Sequence, residues 1–380
     1  MSGTRRARSR LGRPHTPGAR LVAIDLARGV ALLGMMLAHL GPDWWGDEPP
    51  PVSEWLASGR AAPLFALLAG LSVGLMTRFS PDGVGRPGAL LRRAVALLVI
   101  GLALAALPDL RVLVILPCYA LLIAAAVPLR RLPTRWLAVL AGAWCALSPF
   151  ALFGLRQVVA EPRSAVIQPS WAGGLAELPV DVLLWGGYPA VVWFGYVLVG
   201  LTLSRLDLAD PVVGRKLALG GAAVTVVALW AAAVALYLGV FEDRLGPPRF
   251  SQLFWTWTAY DPLDPVTLWA AGQHTSTPLN VIGAAGSATM AVGLCVWVCG
   301  SARLRRLTVP IQAAGAMTLT LYCLHVLMVW NNREHDLSLT GGDYTEWWAH
   351  VVLLVLFAWA WRHTFARGPL ESAVRWVSRP

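Results

Sequence analysis

Apolar residues run along this chain in long unbroken blocks rather than in alternation, and the blocks recur almost from end to end. A helix that crosses the hydrocarbon core of a bilayer needs about 20 residues at 1.5 Å each. The blocks predict spans at roughly 21–41, 60–77, 94–108, 111–127, 136–153, 189–204, 217–239, 280–299, 312–331 and 346–364. In lipid a spanning backbone must satisfy its own hydrogen bonds, so these blocks are expected to be helices. They are too long and too evenly apolar for barrel strands. The expected fold is all-α, a polytopic transmembrane helical bundle of about ten spans. The third and fourth spans are short and meet at Pro108-Asp109, which predicts a tight helical hairpin. No internal repeat supports the inverted-repeat pattern of many transporters.

Charge sets the orientation. The chain is 57% hydrophobic and only 14% charged, where a soluble domain carries about a quarter. Its net charge is +10, yet the arginines sit in short clusters between apolar blocks, as in loops that face anionic headgroups, and not as a nucleic-acid surface. With the N-terminus inside, 23 of the 31 basic residues fall in inner segments and 16 of the 21 acids fall outside. The positive-inside rule therefore places both ends in the cytoplasm. Residues 1–20 read as a basic disordered cytoplasmic tail and 21–376 as one membrane domain. The first apolar block contains Asp25, Arg28 and His39, which argues against a signal peptide. Cys118, Cys145, Cys295, Cys299 and Cys323 all lie within apolar blocks without metal or redox spacing, so packing residues, no disulfide framework and no metal are expected. A composition rich in Arg, Ala and Gly with Lys216 as its only lysine suggests a bacterial cytoplasmic membrane.

The first span carries the candidate chemistry. An ionised side chain near a bilayer centre is costly unless paired or hydrated. Asp25 and Arg28 are three residues apart and can meet on one helix face. Arg28 and His39 are eleven apart, close to three turns, so they point the same way about 16 Å apart along the axis. Gly29 and Gly34 allow close approach of a neighbouring helix or ligand. The helix thus presents a polar stripe with a cation toward the cytoplasm and an imidazole toward the outside. An Asp–Arg structural brace with an interfacial histidine is the plainer alternative. His274, before the eighth span, and His325 with Tyr322, in the ninth, lie at similar expected depth and are candidates to converge on His39. His15, His335, His350 and His363 read as solvated or interfacial. The long outer segment 240–279 holds Phe250, Phe254, Trp255, Trp257 and Tyr260, which suits an interfacial aromatic belt or a stacking platform for a sugar.

Several blocks together resemble the YeiB-like transmembrane proteins, related to the heparan-α-glucosaminide N-acetyltransferase family. They are Asp25-x-x-Arg28-Gly29, Trp44-Trp45, Tyr188-Pro189 through Trp193 and Gly195, His274-x-Ser276-Thr277-Pro278, Gly315 through Met317, Thr320 and Tyr322, and the ending Trp361-Arg362 through Gly368-Pro369-Leu370-Glu371. The resemblance implies a membrane acyltransferase that takes an acyl group, typically acetyl, from cytoplasmic acyl-CoA to a hydroxyl or amine on the far side. It departs from the glucosaminide enzyme where Gly46 and Asp47 follow Trp45, a place where that family carries a histidine.

On this reading Arg28, braced by Asp25, binds the donor. His39 removes the acceptor proton, and Tyr322 or His325 steadies the developing oxyanion. His274, Trp44, Trp45 and Trp193 would line the acceptor side. The inner arginines Arg78, Arg86, Arg92, Arg93, Arg303, Arg305 and Arg306 are candidates to hold CoA phosphates, or simply topology signals. A small-molecule transporter or flippase, or a membrane tailoring enzyme of other chemistry, is the competing expectation.

Overall fold

The computed structural model describes residues 22–42, 50–79, 86–110, 112–162, 177–245, 248–254, 261–334 and 344–379. The basic tail 1–20, Trp44 and Trp45, Trp255, Trp257 and Tyr260, and His15 and His335 lie outside them. Among the described residues there is no β-strand.

The helices in chain order are α1 (Val22–Leu40), α2 (Val52–Leu56), α3 (Ala61–Phe79), α4 (Pro87–Ala105), α5 (Leu116–Leu129) and α6 (Thr134–Val158). After them come α7 (Leu178–Val180), running into a π-turn at Asp181–Trp185, then α8 (Ala190–Leu203), α9 (Pro211–Tyr237) and α10 (Glu242–Leu245). The last group is α11 (Pro278–Gly300), α12 (Ala302–Leu307), α13 (Val309–Gly315), α14 (Thr318–Glu334), α15 (Thr345–Thr364) and α16 (Pro369–Val377). Among the described residues six helices are long and apolar enough to cross a membrane, and up to nine crossings result if each of three bent pairs is one span. Apolar α5, at 14 residues, is shorter than these.

Local chemistry sets the helix starts. Proline stands at the first position of α4, α9, α11 and α16, where its missing N–H costs nothing. Thr277 caps α11 through Asn280 N, and Asp210 caps α9 through Val212 N at 2.8 Å. Because Pro87 starts α4 that early, the third span is not short. It runs from 87 rather than 94 and carries Arg92 and Arg93 within the helix. The expected hairpin forms, with α4 packed on α5 around Asp109 at φ 51.

The expected single span at 312–331 is corrected. The chain breaks between α13 and α14 and turns by 83°. Gly315 lets α13 lie directly on the α1 backbone at Asp25 and Gly29, where any Cβ would collide. Glu371 then takes the first amides of α14, which stabilises a helix start at membrane depth. At the sixth span, the segment at 178–185 precedes α8 at an angle of 62°.

α1 is the central helix. It packs on α3, α11, α13 and α15, and 61% of its apolar window is buried inside the protein against 22% for α9. The outward residues of α9, such as Leu219, Val226, Val227 and Trp230, form the apolar surface a lipid-facing helix needs. Cys118, Cys145, Cys295 and Cys323 are buried and Cys299 half-buried, all as free thiols.

Candidate functional site

The polar face of α1 opens at its N-terminal half onto a cavity of about 190 Å³. Arg28 donates from Nη1 to Asp25 Oδ1 at 3.2 Å and from Nη2 to Ser72 Oγ at 2.6 Å. Ser72 Oγ in turn donates to the Leu68 carbonyl of α3. Asp25 is 5% exposed, so the guanidinium offsets the cost of burying its carboxylate. The cavity walls are largely apolar, with Phe65, Leu68, Leu97, Ile115 and Ile123, while Arg28, Arg93, Tyr119, Tyr322 and Glu371 supply polar groups.

Arg93 lies within electrostatic reach of both Arg28 and Glu371. Glu371 Oε1 accepts from Leu319 N at 2.7 Å and Thr320 N at 3.1 Å, and Oε2 accepts from Thr320 Oγ1 at 2.6 Å. The cavity therefore combines two guanidiniums with a half-helix N-terminus already engaged by a carboxylate. Two cations in an apolar hollow suit an anionic ligand with an apolar arm. Of the inner arginines singled out in the sequence, Arg93 lines this cavity. Arg78 donates to Ser204 O at 2.8 Å, while Arg303, Arg305 and Arg306 are exposed on α12. Ser72, Tyr119 and Glu371 were not among the sequence candidates. Glu371 could have been found from its place in the Gly368-Pro369-Leu370-Glu371 ending, but Ser72 and Tyr119 carry no signal of their own.

Toward the C-terminal end of α1 the polar groups are imidazoles. His39 Nδ1 lies 3.1 Å from His325 Nε2, and the two rings stack at 5.3 Å. His325 Nδ1 lies 3.0 Å from His350 Nδ1. His325 is 0% and His350 2% exposed. The expectation that His350 is solvated is thus corrected. It is the sixth residue of an apolar helix, and the α15–α1 packing turns it inward. Tyr322, one turn before His325 on α14, connects this row to the cavity, with its hydroxyl beside the Ile115 backbone.

His274 takes another position. It does not hydrogen-bond to the imidazole row in the structure. Its Nδ1 pairs with the Gly187 carbonyl at 3.0 Å, and its ring packs against Trp193 and Tyr188. Burial pulls its pKa down, against the opposing pull of that carbonyl. Its φ of 56 is unusual for a residue other than glycine. Trp193 is 3% exposed and also packs on Tyr188 and Tyr196. Tyr188 is within electrostatic reach of Tyr119 and Tyr322, so this aromatic group adjoins the cavity.

Two family models match in succession. Residues 20–238 match heparan-alpha-glucosaminide N-acetyltransferase, catalytic, and residues 238–379 match a protein of unknown function, DUF418. No curated protein matches the chain. The site lies across the seam between the two matches. Arg28, His39, Ser72, Arg93 and Tyr119 come from the first, while Tyr322, His325, His350 and Glu371 come from the second.

Proposed function

The chain belongs to the heparan-alpha-glucosaminide N-acetyltransferase catalytic family, and from that premise we propose that it transfers an acyl group, acetyl by preference, from cytoplasmic acyl-CoA to a hydroxyl or amine presented at the outer face of a membrane. The observation that carries the reading is the continuity along α1. Arg28 and Arg93 face an apolar-walled cavity, Tyr322 lines the same cavity, and the next turn of α14 holds His325 against His39.

The positive-inside pattern sets the N-terminal half of α1 toward the cytoplasm. The donor's phosphates then meet the two guanidiniums, and its acylated arm extends along the apolar walls. Neutral His39 accepts the proton of the acceptor O–H or N–H as that atom attacks the thioester carbonyl. The C–S bond breaks, the thiolate leaves toward the cytoplasm and takes a proton from water there, and the acyl group stays on the acceptor. Tyr322 donates to the oxyanion on this reading.

The test is acyl transfer from labelled acetyl-CoA by the purified protein in lipid nanodiscs, with small alcohols and amino sugars as acceptors. His39→Ala should lower kcat by about 10²–10⁴-fold with donor binding and the fold retained. Full activity in that variant would remove His39 from the mechanism. Flux of an unmodified solute, without acetyl-CoA binding, would replace the acyltransferase reading with a transporter.

A further inference from the structure

Building on the acyl-transfer reading, we propose that His325 and His350 form a proton wire that carries the acceptor's proton away from His39, to leave at His350 Nε2 through a bridging water toward the Glu346 carboxylate, with His350 as a positioning residue at its far end. The geometry demands an ordered chain. A neutral imidazole holds one N–H, and both ring nitrogens of His325 lie 3.0–3.1 Å from the nitrogens of other imidazoles. Each contact needs one donor and one acceptor, so the N–H groups must all point the same way along the row. Only two neutral arrangements satisfy this. In the first, His39 Nδ1–H donates to His325, His325 Nδ1–H donates to His350, and His350 carries its hydrogen on Nε2. In the second, every hydrogen points back toward His39.

In the first arrangement the nitrogen of His39 that takes the acceptor's proton is Nε2. When it takes the acceptor's proton, His39 passes its Nδ1 proton to His325 Nε2, and His325 passes its Nδ1 proton to His350 Nδ1. His350 then releases its Nε2 proton to a water that bridges it to the Glu346 carboxylate. One proton enters, one leaves, and the row ends in the second arrangement. The exit is built for this. His350 Nε2 is buried with no hydrogen-bond partner among the described residues, a costly placement for a group with only a packing role. Glu346 stands one turn earlier on α15, 6% exposed and in electrostatic contact with His350. Asn332 Nδ2 donates to its Oε1 at 3.3 Å. Glu346 lies in the first turn of α15.

Two measurements test the wire. The first is a proton inventory of acyl transfer in mixed light and heavy water. The wild type should give a bowed curve, because several protons move together. His350→Gln should give a straight one, with kcat down about tenfold and both KM values unchanged. An unchanged kcat and curve in a protein that transfers acetyl would overturn the wire and leave the acyltransferase reading intact. The second needs no variant and no turnover: nitrogen–nitrogen couplings across hydrogen bonds in the histidine-labelled wild-type protein. Couplings linking His39 to His325 and His325 to His350 support the chain. Their absence defeats it, even if acetyl transfer is found. If the wild type transfers no acyl group, that reading falls alone and the couplings still decide the wire.

Discussion

Near the start of α1 a carboxylate and a guanidinium share the protein interior, whereas near its end the polar side chains are imidazoles. The two regions sit on one helix and meet the same cost of burying polar groups, but they meet it differently. Asp25 and Arg28 offset each other across 3.2 Å. His39, His325 and His350 are joined in a row by contacts between ring nitrogens. An ion pair holds only while both partners are present, so the first region should respond to substitution in stability. A neutral row can change its proton arrangement without creating a lasting charge, so the second should respond in rate.

The largest expected effect tests that contrast directly. Arg28→Ala takes the guanidinium from a carboxylate that is 5% exposed and should cost about 3 kcal/mol, read as a fall in Tm of the protein in nanodiscs. Adding Asp25→Asn should restore most of the Tm but none of the acetyl-CoA affinity. His39→Ala should cost less, about 1–2 kcal/mol for the hydrogen bond lost by buried His325, while turnover collapses. An Arg28→Ala protein as stable as the wild type would show that the pair is not what holds this region.

Backbone contact gives the next largest effect. A Cβ at Gly315 would fall on the backbone of Asp25, whereas one at Gly142 of α6 meets nothing within 4 Å. Gly315→Ala should therefore cost about 1–3 kcal/mol and disturb the cavity that Gly315 lines. Gly142→Ala should instead add about 0.5–1 kcal/mol, because it removes a helix-interior glycine. Equal Tm values for the two variants would show that α1 and α13 have room to separate.

The sequence revealed these two regions unequally, for physical reasons. Arg28 and its pairing with Asp25 were legible because charge inside an apolar block is costly and a three-residue spacing fixes the face. The apolar blocks made the helical membrane fold legible in the same way. The break at Ala316–Met317 was not legible, since Gly315 looks like any small membrane residue until the α1 backbone arrives against it. His350 was hidden because its environment is set by α1 and α14, far away in the chain. Its sequence neighbours Trp347, Trp348 and Ala349 suggested only an interface. His274 was singled out for its motif, and the structure directs it to the Gly187 carbonyl instead.

The smallest expected effect is the one whose sign separates the regions best. Glu371 lies beside Arg93 in the cavity and accepts from the first amides of α14. Glu371→Gln keeps a hydrogen-bond acceptor there but removes the negative charge, so helix capping should weaken by about 1 kcal/mol. The same change leaves the field of Arg28 and Arg93 less compensated. An anionic acyl donor should then bind about three- to tenfold tighter, and added salt should shrink that gain. Lower stability with higher affinity is an unusual combination, and titration of acetyl-CoA beside a melting curve reads both. His350→Gln should leave donor affinity unchanged, because it acts on the neutral row and not on the charged cavity. Weaker donor binding in Glu371→Gln would mean that the carboxylate positions the donor rather than opposing it, and the charged region would then need a different account.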